Sequence, residues 1–261
     1  MIVAQISDLH VKRRGHVLPH MPHVIGPLRR VLAAIASLPR PPDAILATGD
    51  LTESGHRDEY CRLRDLIAAI RIPVFLLPGN HDRREALRAV FPDHGYLHGG
   101  DAVLFTIEGE AMRVIALDSS QSPRQGGYLD ETRLDWLEAA LSRRPATPTM
   151  LALHHPPFRT GLRYFDDQPF EGRARLSAIV RRHRQIRRIA CGHVHQVLAR
   201  RWSGTIAISA PSTAPSLVVR PRVFGFSFAG GGFLLHRPES GGRIATLRAR
   251  IPFDVAESAI A

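Results

Sequence analysis

The chain is poor in cysteine, in lysine and in long apolar runs, and each shortage removes a class of protein. Cys61 and Cys191 are its two cysteines. They are too few for a disulfide framework or a cysteine-ligated zinc site, and they read as reduced, partly buried thiols. No apolar run reaches the roughly 18 residues of a membrane span. "MIVAQISDLH" has no basic region followed by a long apolar segment, and it turns polar by Asp8. Both features point to a cytoplasmic protein with no membrane partner. Lys12 is the sole lysine among 35 basic residues, and the arginines are spread over many segments. The formal charge of +11 therefore reads as a general preference for arginine. The densest run, Val180 to Arg188, falls where a helix ends and a strand begins, a place where cations suit the helix dipole. No nucleic-acid polymer is expected as partner; the charge favours a small anionic substrate.

What is present is an ordinary globular composition. With 261 residues, 44% of them hydrophobic, the chain can bury a full core in one large domain. Short apolar runs, "IVAQIS", "DAILAT", "PVFLL", "MLALH" and "RIACG", read as strands. Between them lie amphipathic stretches near Pro27 to Leu38, His56 to Ile70, Arg84 to Val90, Glu131 to Leu141 and Arg173 to His183. The alternation predicts βα units and a largely parallel core sheet. "AVLFTIEGEAMRVIALD" reads as two strands around a turn, and the strand-rich C-terminal third predicts a second, mixed or antiparallel sheet.

Every one of the five apolar strands ends in polar residues. The first delivers Asp8 and His10, the second Asp50, the third Asn80, His81 and Asp82. The two later ones deliver His154 with His155, and His193 with His195. In an open α/β sheet, such strand ends meet at one crevice where ligands bind. Carboxylate, imidazole and amide side chains together suit first-row divalent cations. Asp50, placed between the other motifs, can bridge two ions, which in two-metal hydrolases sit about 3.5 to 4 Å apart. His16, His20 and His23 read as a loop at the cleft's rim, because no carboxylate accompanies them.

The ordered series "DLH", "GD", "GNHD", "HHPP" and "GHVH" resembles the calcineurin-like metallophosphoesterase superfamily. Within it, "GDLTESGHRDEYCRL" and "GNHDRREALRAVFPD" resemble class III cyclic nucleotide phosphodiesterases and bacterial glycerophosphodiesterases. The resemblance implies a four-layer α/β/β/α sandwich, an α/β fold of two mixed sheets flanked by helices. Residues 1–210 would form the metallophosphoesterase core. Residues 211–261 would complete the second sheet or form an interface in a homodimer or higher homo-oligomer, with Val218 to Ile251 as the candidate segment. It also implies two divalent ions, drawn from Mn, Fe, Zn or Co. The first would take Asp8, His10, Asp50 and His195, and the second Asp50, Asn80, His155 and His193. His155 is preferred to His154 because the family's histidine directly precedes a proline. Asp82 is expected to be a structural partner.

The implied activity is hydrolysis of a small phosphodiester by a hydroxide bridging the ions, with Asp50 holding the pair and His81 as the catalytic proton donor. Protein phosphatases of the superfamily carry an arginine shortly after "GD" that grips a dianionic monoester; here the segment reads "GDLTESG", which suits a singly charged diester. The expected substrates are 3′,5′-cyclic nucleotides such as cyclic AMP, followed by glycerophosphodiesters and phosphonate monoesters. A metal-stabilised binding module without catalysis is the alternative.

Overall fold

The computed structural model describes residues 1–16, 24–213, 216–220, 223–227 and 231–252. His20 and His23 lie outside the described residues; His16 is exposed. Two sheets form the centre. The first contains β1 (Val3–Ile6), β2 (Ala44–Thr48), β3 (Val74–Leu77), β12 (Gly231–Glu239) and β13 (Arg243–Ile251), in the order β13-β12-β1-β2-β3. The second contains β4 (Leu104–Ile107), β5 (Arg113–Leu117), β6 (Thr149–Ala152), β7 (Ile186–Cys191), β8 (Ala199–Trp202) and β9 (Thr205–Ser209), in the order β4-β5-β6-β7-β9-β8. β10 (Ser216–Arg220) and β11 (Val223–Ser227) form a separate hairpin.

The six α-helices among the described residues are α1 (Ile25–Ala36), α2 (Arg57–Ala68), α3 (Arg84–Val90), α4 (Glu131–Arg143), the one-turn α5 (Arg163–Asp166) and α6 (Arg173–Arg182). The five helices expected from the sequence form within two residues of their expected ends. α1 buries Leu28, Val31, Leu32 and Ile35 as one stripe, each contributing about 1.5 to 3 kcal/mol on leaving water. α4 starts where the Asp130 carboxylate accepts from Arg133 N at 2.9 Å.

Alternation along the strands explains the layering. Val114, Ala116, Met150 and Ala152 face a core shared with β1, β2, α1 and α2. Ile115, Leu117, Leu151 and Leu153 face the other way, onto α4 and α6. Each strand is thus buried on both faces, as the continuous apolar runs require. The result is an α/β/β/α sandwich.

One expectation about pairing needs correction. The five apolar strands do not share one sheet: β1, β2 and β3 are parallel neighbours in the first, while β6 and β7 lie in the second. The C-terminal strands β12 and β13 extend the sheet of β1, where β12 pairs antiparallel with β1, Val3 opposite His236. Periodicity reports that a strand is buried, not which strand lies beside it, and the mistake has that origin. Among the described residues no helix is long and apolar enough to cross a membrane.

Candidate metal centre

The parallel strands of both sheets bring their C-terminal ends to one edge, and the polar motifs meet there. Six non-glycine residues in the described chain have φ between +46° and +71°, and five of them are Asp8, His10, Asp50, His193 and His195. Left-handed backbone costs a side-chain-bearing residue about 1 kcal/mol or more. Five such residues in one place show a fold that spends stability to aim particular side chains. Gly49, at φ +98°, lies so close to its neighbours that a Cβ there would fall 2.2 Å from His154 Nδ1. At Gly79 a Cβ would fall 2.3 Å from Asp50 N. Bare backbone at these two points lets β2, β3 and the loop after β6 close on one another.

Asp8, His10, Asp50 and His195 form one buried group, their candidate ligand atoms all within 4.8 Å of one another. His10 Nε2 and His195 Nε2 are 3.1 Å apart, and His195 Nε2 is 3.5 Å from Asp8 Oδ1. Asp50 Oδ2 stands 3.8 Å from His10 Nε2 and 3.3 Å from His154 Nε2. It therefore lies between the first group and a second, which comprises His154, His155 and His193. Asn80 Oδ1 joins the second at 3.1 Å from His154 Nε2.

Proximity to proline favours His155 in the sequence, but the structure turns the two histidines differently. His154 bonds Thr48 O through Nδ1 at 2.7 Å and faces Asp50 and Asn80 with Nε2. His155 is 2.9 Å from Ser119 Oγ through Nδ1 and 3.1 Å from the Gln125 carbonyl through Nε2. The place beside Asp50 thus belongs to His154. Spacing along the chain does not report which of two adjacent side chains enters a site.

Neighbours hold the far nitrogens of the rings, as in ligating histidines generally. Glu53 Oε2 is 3.0 Å from His10 Nδ1, and Gln168 Oε1 accepts from His193 Nε2 at 2.9 Å. Gln125 Oε1 accepts from the Asn80 amide at 2.8 Å, which turns Asn80 Oδ1 toward His154. Sequence reasoning missed Glu53, Ser119, Gln125 and Gln168. Glu53 had a signal, three residues after Asp50 on the same turn. The glutamines had none, since their loops reach the site only through the fold. His195 Nδ1 is buried without a partner among the described residues.

His81, half-buried, packs edge-on to His10 at 4.8 Å between ring centroids. Its Nδ1–H donates to the Glu53 carbonyl at 2.7 Å, which leaves Nε2 as its second functional nitrogen. Asp82 makes no contact with the two ligand groups through its carboxylate. Its oxygens accept from Leu51 N, Thr52 N, Thr52 Oγ1, Gly79 N and Tyr60 Oη, locking the turns after β2 and β3.

Burial and mutual charge set protonation. Burial opposes the charged form of His154, yet the Asp50 carboxylate beside it raises the pKa to about 9. Burial and the nearby His154 push His155 down to about 3, and burial with His155 and His154 pushes His193 well down. Asp50, despite its burial, is held well below the usual carboxylate range by His154, His81 and His10. Two carboxylates, an amide oxygen and converging imidazoles, held by strained backbone around a central carboxylate, are a donor set that fits divalent cations. The residues present match the group the sequence implies.

Comparison with known proteins agrees. The family model described as calcineurin-like phosphoesterase matches residues 1–197. The chain is 34% identical over 213 residues to a probable glycerophosphodiester phosphodiesterase GpdQ of Arcobacter nitrofigilis, covering 81% of this chain and 78% of that protein. It is 30% identical over 211 residues to the 3′,5′-cyclic adenosine monophosphate phosphodiesterase CpdA of Escherichia coli K12, covering 81% and 75%. Among solved structures, a dimetal phosphatase from Danio rerio shares the fold, with a TM-score of 0.69 at 15% identity over 96% of each chain. By its five ordered motifs, its layered sheets and this match, the chain belongs to the calcineurin-like phosphoesterase family.

Proposed function

We propose that this chain is a dinuclear metal-dependent phosphodiesterase acting on small diesters, with 3′,5′-cyclic nucleotides as the leading substrates and glycerophosphodiesters or phosphonate monoesters as the second reading. The observation that carries the dinuclear reading is the position of Asp50 Oδ2, 3.8 Å from His10 Nε2 on one side and 3.3 Å from His154 Nε2 on the other. Asp8, His10, Asp50 and His195 would hold one cation; Asp50, Asn80, His154 and His193 would hold the other, with His154 in the place the sequence assigns to His155. When bound, two such cations lower the pKa of a water and offset the charge of phosphoryl oxygens.

The chain's own residues supply the rest. Asn80 and His154 are fixed through their far atoms, so little reorganisation accompanies binding. His81 carries Nε2 beside the first group, on the half-exposed side, where it can hand a proton to the departing alkoxide. A scaffold without catalysis has no use for a positioned proton donor there.

The segment Leu51 to Gly55 brings no guanidinium to the centre. Arg163 pairs with Asp167 at 3.0 Å, and Arg84 is held by Asp118 and Ser120. A monoester near neutral pH carries close to two negative charges and gains most from such a fork; a diester carries one. Metal-loaded protein should therefore show a higher kcat/KM on bis(p-nitrophenyl) phosphate than on p-nitrophenyl phosphate. A clear preference for the monoester would overturn the substrate class, and no turnover of either would overturn the enzyme reading.

A further inference from the structure

Beside the second ligand group opens a small cleft of about 70 Å³, open to solvent on one side. One wall is His155 and His193 themselves. Another is aromatic: Phe158, almost fully buried, with the half-buried Phe165 and Phe170. Phe165 sits edge-on to His193, with ring centroids 5.1 Å apart and planes at 75°. Gly126 and Gly127 back this wall so tightly that a Cβ would fall 2.0 Å from the Pro169 carbonyl and 2.6 Å from the Phe170 ring. The Phe170 ring is therefore held close against backbone.

Aromatic walls next to a phosphate centre suit either a flat neutral ring or a quaternary ammonium, and charge decides between them. Among the described residues the one carboxylate lining the cleft is Asp166. Its oxygens already accept from Thr160 N, Thr160 Oγ1 and Gly161 N, and Arg159 stands 3.8 Å away. Arg159 and Arg173 add positive charge to the rim. Arg173 also opens α6, whose first turn carries no acidic residue, so the helix dipole has the same sign. A cationic head group meets repulsion here, whereas a neutral or anionic ring does not. Gln168 has its oxygen on His193, which leaves its amide N–H groups as donors on this wall.

We propose that this cleft receives the organic substituent of the phosphodiester and selects a planar, neutral aromatic group, of the nucleobase type, over a cationic alcohol of the choline type. The proposal rests on the phosphodiesterase reading but concerns a different set of residues, and binding tests it without turnover. Metal-loaded protein is titrated calorimetrically with AMP, ribose 5-phosphate and phosphocholine, which share a phosphomonoester and differ in what it carries. AMP should bind about tenfold more tightly than ribose 5-phosphate, as one stacked ring contributes, and phosphocholine no more tightly than ribose 5-phosphate. Phe165→Leu keeps the apolar bulk but removes the ring and should bring the AMP advantage below about threefold; Phe165→Tyr should restore it. The ratio of two ligands on one variant cancels any general loss of phosphate affinity. Equal binding of AMP and ribose 5-phosphate, an advantage that survives Phe165→Leu, or tightest binding of phosphocholine would each overturn the proposal. Hydrolysis of bis(p-nitrophenyl) phosphate, measured in parallel, reports on the phosphodiesterase reading separately.

Discussion

At the level of single residues, charge placement separates the roles of Asp50 and His81. Asp50 is the carboxylate between the two groups of candidate ligands, and on the dinuclear reading two cations would repel each other without it. Asp50→Ala should lose at least one ion per chain by elemental analysis, and turnover should collapse; full occupancy with normal rates would sink the dinuclear assignment. His81 touches Glu53 and His10, with which it forms a third, less buried cluster, and its backbone N–H donates to Asp50 Oδ1 at 3.0 Å; its side chain is in neither of the two groups that Asp50 separates. His81→Ala should keep both ions and slow esters with poor leaving groups by about 10² to 10⁴. Nitrophenyl esters need less proton donation and should suffer less. Equal loss on both kinds of ester would make His81 a binding residue instead.

At the level of elements, the site depends on turns that follow strands, and Asp82 is their common anchor. Five donors from the turns after β2 and β3 and from α2 end on its two oxygens. Burial, and then the charge of Asp50, raise its pKa, so these donors work against a cost of keeping it ionised. Removing the carboxylate leaves buried donors without acceptors. Asp82→Ala should therefore destabilise the protein by about 3 kcal/mol or more, read as a lower urea midpoint. Asp82→Asn retains one acceptor oxygen and should lose less. A near-neutral Asp82→Ala would show that the two turns are held by other contacts.

Across the whole molecule, the two ends of the chain meet where β12 lies against β1, and His236 sits at that join. It bonds Thr246 Oγ1 on β13 at 2.9 Å and Gln5 Oε1 on β1 at 3.0 Å, fully buried. Burial, with Arg188 nearby, pushes its pKa down to about 3. The folded state thus holds this ring neutral, while the unfolded chain protonates it below about pH 6.5. Its contribution is intact above that pH and is lost as pH falls from about 6.5 toward 3. Between pH 7.5 and 5.5 the loss is about 1.4 kcal/mol. His236→Asn should show a smaller drop in urea stability over that interval, by about this amount. The buried histidines of the metal centre titrate in both proteins and cancel in the comparison. An identical drop in the variant would mean that His236 is not held neutral.

What the sequence by itself determined was local: short apolar strands, helices with one buried stripe, and polar candidate ligands placed two to four residues beyond a strand end. Asp8, His10, Asp50, Asn80, His193 and His195 were legible because each sits at such a junction, where chain position and spatial position nearly coincide. The tertiary structure decided everything that depends on neighbours. It divided the parallel strands between two sheets and set β12 beside β1, because burial periodicity carries no information about partners. The Thr48 carbonyl and the close approach of Gly49 hold His154, rather than its neighbour, beside Asp50. Loop packing across 45 residues of chain brought Gln125 to Asn80, and the loop after α5 brought Gln168 to His193. Such contacts join segments whose sequences share no periodicity, and only the assembled sandwich places them together.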